Sequence, residues 1–352
     1  MSDQTSNGTS TTPQKFWQRL FGRKDGSRLP MAVKIGIGIV VTVALILITL
    51  ALYSNVPIEG EPGAAINFPE ELDFRWDVIK WIDNIVDWVV VNWDPFFSAI
   101  NIIVVRGIMG PLEDFLLWIP WWSIIIITAL LAWQTVSFKF AGLATVFVLL
   151  MCFGGLIDLA SQTLAITLAS ALICIVIGLP LGIIAAKSNR FDGILRPMLD
   201  MMQTMPSFVY LIPALMLFGL GKTPAVMATC IYAIPPIIRL TSLGIRQVDA
   251  SVVEAGRAFG ATAWQLLFKV QVPLALPTIL AGLNQTVMMA LAMVVIASMI
   301  GAAGLGVEVL RGIARVEPGR GFVAGISIVF MAIILDRISQ GFAKRPEASR
   351  AI

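Results

Sequence analysis

Val248 to Pro277 reads VDASVVEAGRAFGATAWQLLFKVQVPLALP, a stretch that lies between two strongly apolar segments yet is composed like a piece of soluble protein. Ser251-Val252-Val253-Glu254 and Thr262-Ala263-Trp264-Gln265 both have the form of a capping box, so two short helix starts are written here. Gly260 falls between them, where glycine suits the left-handed turn that ends a first helix. Ala255, Phe259, Ala263, Leu266, Leu267 and Val270 recur at roughly helical spacing and predict an apolar stripe, with Phe259 and Leu266 packing the two helices together. The expected product is a compact helix-turn-helix outside the bilayer. Pro273 and Pro277 fall near the start of the next apolar span, where a first-turn proline removes an N–H that has no partner anyway.

Residue identity makes this loop specific. Glu254-Ala255-Gly256, then Gly260-Ala261, then Val270-Gln271-Val272-Pro273, resembles the EAA loop of ATP-binding-cassette importer permeases, with Gly256 in place of the second alanine and Val272 in place of a leucine. In that family the loop is the coupling helix and sits in a groove of a cytoplasmic ATPase subunit. From about Ala132 to Gln340 the chain is similar to the membrane subunit of glycine betaine/proline betaine uptake systems, through CIVIGLPLGI (Cys174 to Ile183), MPSFVYLIPALMLFGLG (Met205 to Gly221), PPIIRL (Pro235 to Leu240) and MVVIASMIG (Met293 to Gly301). The resemblance implies a permease homodimer in the bilayer, carried by two ATPase subunits that bind ATP and Mg, and fed by a periplasmic binding protein with a small quaternary-ammonium solute. Glu254 then has two open roles, a cap for its own helix or a pair for a basic group on the ATPase.

Composition agrees with a membrane protein. Of 352 residues 57% are hydrophobic and 13% charged, which predicts an all-α, polytopic chain. The net charge of +3 therefore speaks of topology and not of nucleic acid. The absence of histidine excludes histidine metal sites, triads and proton relays, and Cys152, Cys174 and Cys230 lie in apolar segments without C-x-x-C spacing, as small core residues. No G-x-x-x-x-G-K-[ST] loop is present, so ATP binds elsewhere. No catalytic, cofactor or metal residue is expected in this chain, and a membrane-embedded enzyme lacks its paired carboxylates or Ser-His pair.

Residues 1–30 form a basic tail, and Met31 to Tyr53 is too long an apolar run for a signal peptide, so it reads as a retained span with the N-terminus inside. The best-known betaine permeases carry no such span. Residues 54–118 hold an acidic linker, an amphipathic helix over Trp76 to Trp93 lying on the periplasmic membrane surface, and a second interfacial helix over Pro95 to Pro120. Trp76, Trp81, Trp88, Trp93, Trp118, Trp121 and Trp122 invite an aromatic cage for a trimethylammonium group, but an interfacial belt explains them better.

Residues 119–340 are the permease core, with coupling loop 248–272, and 341–352 a cytoplasmic tail. Spans over 119–138, 140–158, 161–186, 206–221, 223–244, 275–300 and 321–338 follow the first, making eight. Lys139, Lys187, Arg190, Arg196 and the loop from Arg239 to Lys269 then fall inside, as does the tail, which suits a bacterial inner membrane. The exception is Gly301 to Arg320, with three outward arginines offset by Glu308 and Glu317; there GAAGLGVEVLRGI predicts a short helix after a glycine hinge, part of an outer gate. Asp158, Arg239, Asp336 and Arg337 sit near span ends, and the lack of a mid-membrane carboxylate or histidine pathway argues against ion coupling. Pro180, Pro206, Pro213, Pro235 and Pro236, with Gly178, Gly182, Gly219 and Gly221 nearby, interrupt spans and mark either the translocation path or packing kinks; Phe208 and Tyr210 are candidates to touch a passing cation. Betaine, choline, trimethylamine N-oxide and an amino acid all remain open as the solute.

Overall fold

The computed structural model describes residues 31–53 and 75–348; the basic tail 1–30 and the acidic linker lie outside the described residues. Every regular element among the described residues is helical. The chain separates into two units, one ending at Asn84 and one beginning at Ile85. In the first, α1 (Met31–Tyr53) is apolar along its length, and its side chains from 35 to 48 are exposed. α2 (Arg75–Asn92) begins there and buries no residue, with Trp76, Trp81 and Trp88 all exposed.

In the second unit, α3 (Asp94–Ile102) passes through a π-helical turn, Ile103–Met109, into α4 (Gly110–Trp118). A hairpin follows, α5 (Trp121–Thr135) and α6 (Phe138–Phe153), with Ser137 capping α6 by accepting the Phe140 N–H. α7 (Ile157–Lys187) has 31 residues, about 46 Å of helix against a hydrocarbon core of about 30 Å. Next come α8 (Asn189–Thr204), a 3₁₀ turn at Ser207–Tyr210, and α9 (Leu211–Phe218). α10 (Lys222–Arg246) leads to the two short helices α11 (Ala250–Ala258) and α12 (Ala263–Leu266). A π-helical turn, Leu267–Gln271, joins them to α13 (Val272–Ala297), and α14 (Leu305–Ala314) and α15 (Pro318–Ala348) complete the chain.

Two sets of contacts define the ends of this unit. At the loop end, Lys187 donates to Gln271, and Arg246 donates to the Asn189 side chain and the Ala185 carbonyl. At the far end, the Gly221 N–H donates to the Ile300 carbonyl at 3.0 Å and the Leu305 N–H to Thr163 Oγ1 at 2.8 Å. α7 and α10 therefore both run from the far end to the loop end, and the chain between them must return. Asn189 to Phe218 makes that return, as two helices bent by 108° about the break before Pro206. The span expected at 206–221 is corrected accordingly, because α9 has eight residues, about 12 Å, and cannot cross alone.

Among the described residues five helices are long and apolar enough to cross a membrane, or six with the bent pair counted as one. Asp94–Trp118 passes that test, yet its contacts set it crosswise. Asn101 bonds Thr223, Glu113 pairs with Lys222, and the Phe97 ring meets Phe218 at 5.5 Å. Residues 16 apart along this helical run thus converge on positions 218 to 223, so it lies across the far end of α10 and not alongside it.

Small residues set the core spacing. A Cβ on Gly178 would stand 2.4 Å from Ile237 Cγ2, and one on Gly182 would stand 2.8 Å from the Ile238 carbonyl, so α7 and α10 touch backbone to side chain. Gly282 of α13 lies in the same way against Leu240 and the Pro236 carbonyl. Close approach over small residues is how helices associate where no hydrophobic effect separates them from lipid. Gly178 and Gly182 thus serve close packing along an unbroken α7.

Candidate functional site

The loop end carries the predicted helix-turn-helix. α11 closes with a Schellman motif: the Gly260 N–H donates to the Arg257 carbonyl at 2.9 Å and the Ala261 N–H to the Gly256 carbonyl at 3.1 Å, with Gly260 at φ +78°. α12 opens with a complete capping box, Thr262 Oγ1 accepting from the Gln265 N–H and Gln265 Oε1 accepting from the Thr262 N–H at 2.9 Å.

The first capping box does not form. Asp249 caps α11 instead, its carboxylate accepting the Ser251 N–H at 2.8 Å, a bond that holds its pKa below the usual value. Asp249 and Ser251 are equally good cap types, and the backbone is extended at Asp249 (φ −52°, ψ 128°) and already helical at Ser251, so Asp249 is the cap. Glu254 consequently sits inside α11, exposed, and the cap reading for it is corrected.

Leu266 and Leu267 are buried as expected, but Phe259 is 92% exposed and packs neither helix. What closes the two helices is Gly256, where a Cβ would come 2.8 Å from Leu266 Cδ1. Leu266 occupies the space that an alanine methyl at 256 would need. The periodic stripe was misleading because it runs through Gly260, and a left-handed turn resets the rotation of the helix. Trp264 and Phe268 stack at 5.6 Å with their rings 3° from parallel and stay exposed, a one-turn aromatic pair that the sequence displays openly in a polar loop. A cleft of about 270 Å³ separates this loop from the ends of α7 and α10, lined by Lys187, Arg246, Glu254, Arg257 and Gln271. Pro273 is the second residue of α13, directly after the π-helical turn.

The residues expected along a path do not all share one surface. Pro206, Phe208 and Pro213 are exposed at the bend. Tyr210 is buried and donates its hydroxyl to the Met202 carbonyl, and Pro235 and Pro236 are buried in α10. The open positions are therefore the first three. Sequence reasoning missed the pair between Lys222 and Glu113, the latter 5% exposed, which fastens the crosswise helix to the far end.

At that far end α14 begins after Gly301 and Gly304, at φ +93° and +120°, as the expected hinge requires. Glu308 is buried and accepts from both Arg311 and Arg320, and Arg320 also pairs with Glu317 at 3.2 Å. Chiefly the Arg320 bond holds the Glu308 carboxyl below the usual glutamate range. The three-arginine exception to the charge rule is thus largely neutralised within the hairpin.

Several apolar helices, one bent pair and an exposed helix-turn-helix loop are the features of a multi-pass membrane protein. The chain belongs to the family of binding-protein-dependent transport system inner membrane components, whose pattern matches residues 178–347. It is 52% identical over 267 residues to the glycine betaine/proline betaine transport system permease protein ProW of Escherichia coli, covering 75% of each chain. It is 47% identical over 277 residues to the glycine betaine/carnitine transport permease protein GbuB of Listeria monocytogenes, covering 76% of this chain and 96% of that one. A trimethylamine N-oxide transport system permease protein of Ruegeria pomeroyi is 42% identical over 230 residues, 65% of this chain and 35% of its own. Membership implies two kinds of partner, an ATPase subunit and a substrate-binding protein.

Proposed function

We propose that this chain is the permease subunit of an ATP-driven importer for a quaternary-ammonium osmolyte, glycine betaine or proline betaine. The observation that carries the solute is the shared sequence with two relatives named for glycine betaine, at about half identity over three quarters of the chain. The α11–α12 loop is the docking surface for the ATPase. Its Schellman turn holds the two helices rigid, while Glu254, Arg257, Phe259 and Trp264 stay exposed for a partner. Glu254 faces a basic group of that partner. ATP and Mg bind in the ATPase, whose closure moves the loop as a rigid body and alternates access in a permease homodimer.

In this reading α1, α5, α6, α7, the bent pair, α10, α13 and α15 are the eight crossings. The crosswise run Asp94–Trp118 lies at the outer surface with α2, both termini are cytoplasmic, and the chain sits in a bacterial inner membrane. Pro206, Phe208 and Pro213 border the path.

The test is uptake of radiolabelled glycine betaine into proteoliposomes holding this chain with its ATPase and binding protein. Uptake that needs internal ATP and resists unlabelled choline or trimethylamine N-oxide is expected. Uptake blocked by low trimethylamine N-oxide would move the solute and leave the mechanism. Uptake that follows an ion gradient without ATP would remove the mechanism.

A further inference from the structure

α8 turns a charged face toward α10. Between them lies a cleft of about 430 Å³ whose wall includes Leu195, Leu199, Leu240, Asp200 and Arg239. Arg239 stands seven residues before the end of α10, about 10 Å inside the loop end of a candidate span. There it pairs with Asp200 of α8, the first helix of the bent pair. The pair is not sealed: the Arg239 side chain is 38% and the Asp200 side chain 64% exposed. Nor is the arginine fully used, since its Nε is buried without a hydrogen-bond partner. Arg246 and Arg196, the other cations of the cleft, are held by Asp192, and Arg246 also by Asn189 and the Ala185 carbonyl.

An exposed cation and anion side by side in a partly apolar cleft are the complement of a zwitterion. A molecule with a carboxylate and a quaternary ammonium, laid antiparallel to the pair, gives Arg239 a carboxylate and Asp200 a cation, while the methyl groups meet the leucines. A purely cationic amine can satisfy only Asp200 and offers Arg239 nothing, so it gains less from the site than a zwitterion does. We propose that the Arg239–Asp200 pair is a transient subsite for a zwitterionic methylammonium carboxylate on its way through the permease, rejecting cations that lack the carboxylate. This rests on the betaine reading above.

The experiment uses the assembled complex in proteoliposomes and replaces both members at once, Arg239→Met with Asp200→Leu, so that no charge is left alone. Assembly and ATPase activity stimulated by loaded binding protein should persist while ATP-driven glycine betaine uptake falls by about tenfold or more. A purely structural pair predicts uptake within about twofold of the unaltered complex in this isosteric replacement, and that result would overturn the proposal. A second measurement covers the case in which the double variant fails to assemble. In a complex carrying Leu195→Cys and Cys152→Ser, millimolar glycine betaine should slow maleimide labelling of the cleft and choline at equal concentration should not; equal labelling in both would sink the subsite. If the unaltered complex takes up no glycine betaine, the functional reading itself has failed and the subsite falls with it.

Discussion

The two short helices at opposite ends of the molecule, α11 at the loop end and α14 at the far end, close with the same device. In both, crossed Schellman bonds reach back over the last turn, from Gly260 and Ala261 to Arg257 and Gly256, and from Val316 and Glu317 to Ile313 and Gly312. They differ in what holds the pivot and in what becomes of the charges. The loop end uses glycine at φ +78° and leaves Glu254 exposed; the far end uses valine at φ +56°, the one non-glycine residue with positive φ among those described, and binds Glu308 to two arginines. The difference teaches how to tell a surface built to be completed by a partner from one completed by itself. The first presents unpaired charge and stacked aromatic rings on a relaxed turn. The second closes its own ion pairs.

The largest expected effect on transport tests the relaxed turn. Gly260→Val places a β-branched residue in a left-handed conformation, which costs about 1–2 kcal/mol and, at about 1.4 kcal/mol per decade, cuts the correctly turned loop about tenfold. Nothing lies near that Cβ, so the loss is conformational and not steric. Transport should fall while basal ATP hydrolysis continues, measured in the same proteoliposomes; normal transport would remove the loop from the coupling role.

Next is the self-completed end. Glu308→Gln removes the charge that Arg311 and Arg320 share and replaces one of its two acceptor oxygens with an NH2 donor. Breaking a buried pair costs about 3–5 kcal/mol, and the partial exposure of these arginines reduces the expectation to about 2 kcal/mol, read as a lower melting temperature in detergent. The same carboxylate predicts a pH dependence. Its folded pKa lies below the ordinary 4.5, so its contribution is complete above that value and is lost as pH falls through the lower folded one. Acid should therefore destabilise the unaltered chain more than the Glu308→Gln chain. Equal acid sensitivity would place the titration elsewhere.

What the sequence revealed of these regions follows from range. Gly260 and the Thr262–Gln265 box were legible because a cap is made within four residues, and the passes through the bilayer because apolar length is a local count. The Asp249 cap was not, since Asp249 and Ser251 both qualify and only the backbone decides between them. Phe259 was misplaced because helical periodicity does not continue through a left-handed residue. The crossing at 206–221 was misplaced because apolarity records no bend, and 108° at Pro206 changes which residues make the span. Pairs such as Glu113 with Lys222, 109 residues apart, and Asp200 with Arg239 were out of reach, since nothing local to either residue names the other.

The smallest expected effect exchanges the pivot at the far end. Val316 is 84% exposed, so Val316→Gly removes no buried contact, and it relieves about 1–2 kcal/mol of left-handed strain. Glycine's added freedom in the unfolded chain returns about 0.5–1 kcal/mol of that, leaving a net gain of about 0–1.5 kcal/mol. Val316→Asn, which tolerates the conformation with less unfolded freedom, separates the two contributions by melting temperature. A glycine variant that melts higher and transports normally shows the valine to be incidental. One that melts higher and transports less shows that the far-end turn keeps its strain for function, and then the two ends differ only in which of their features a partner meets.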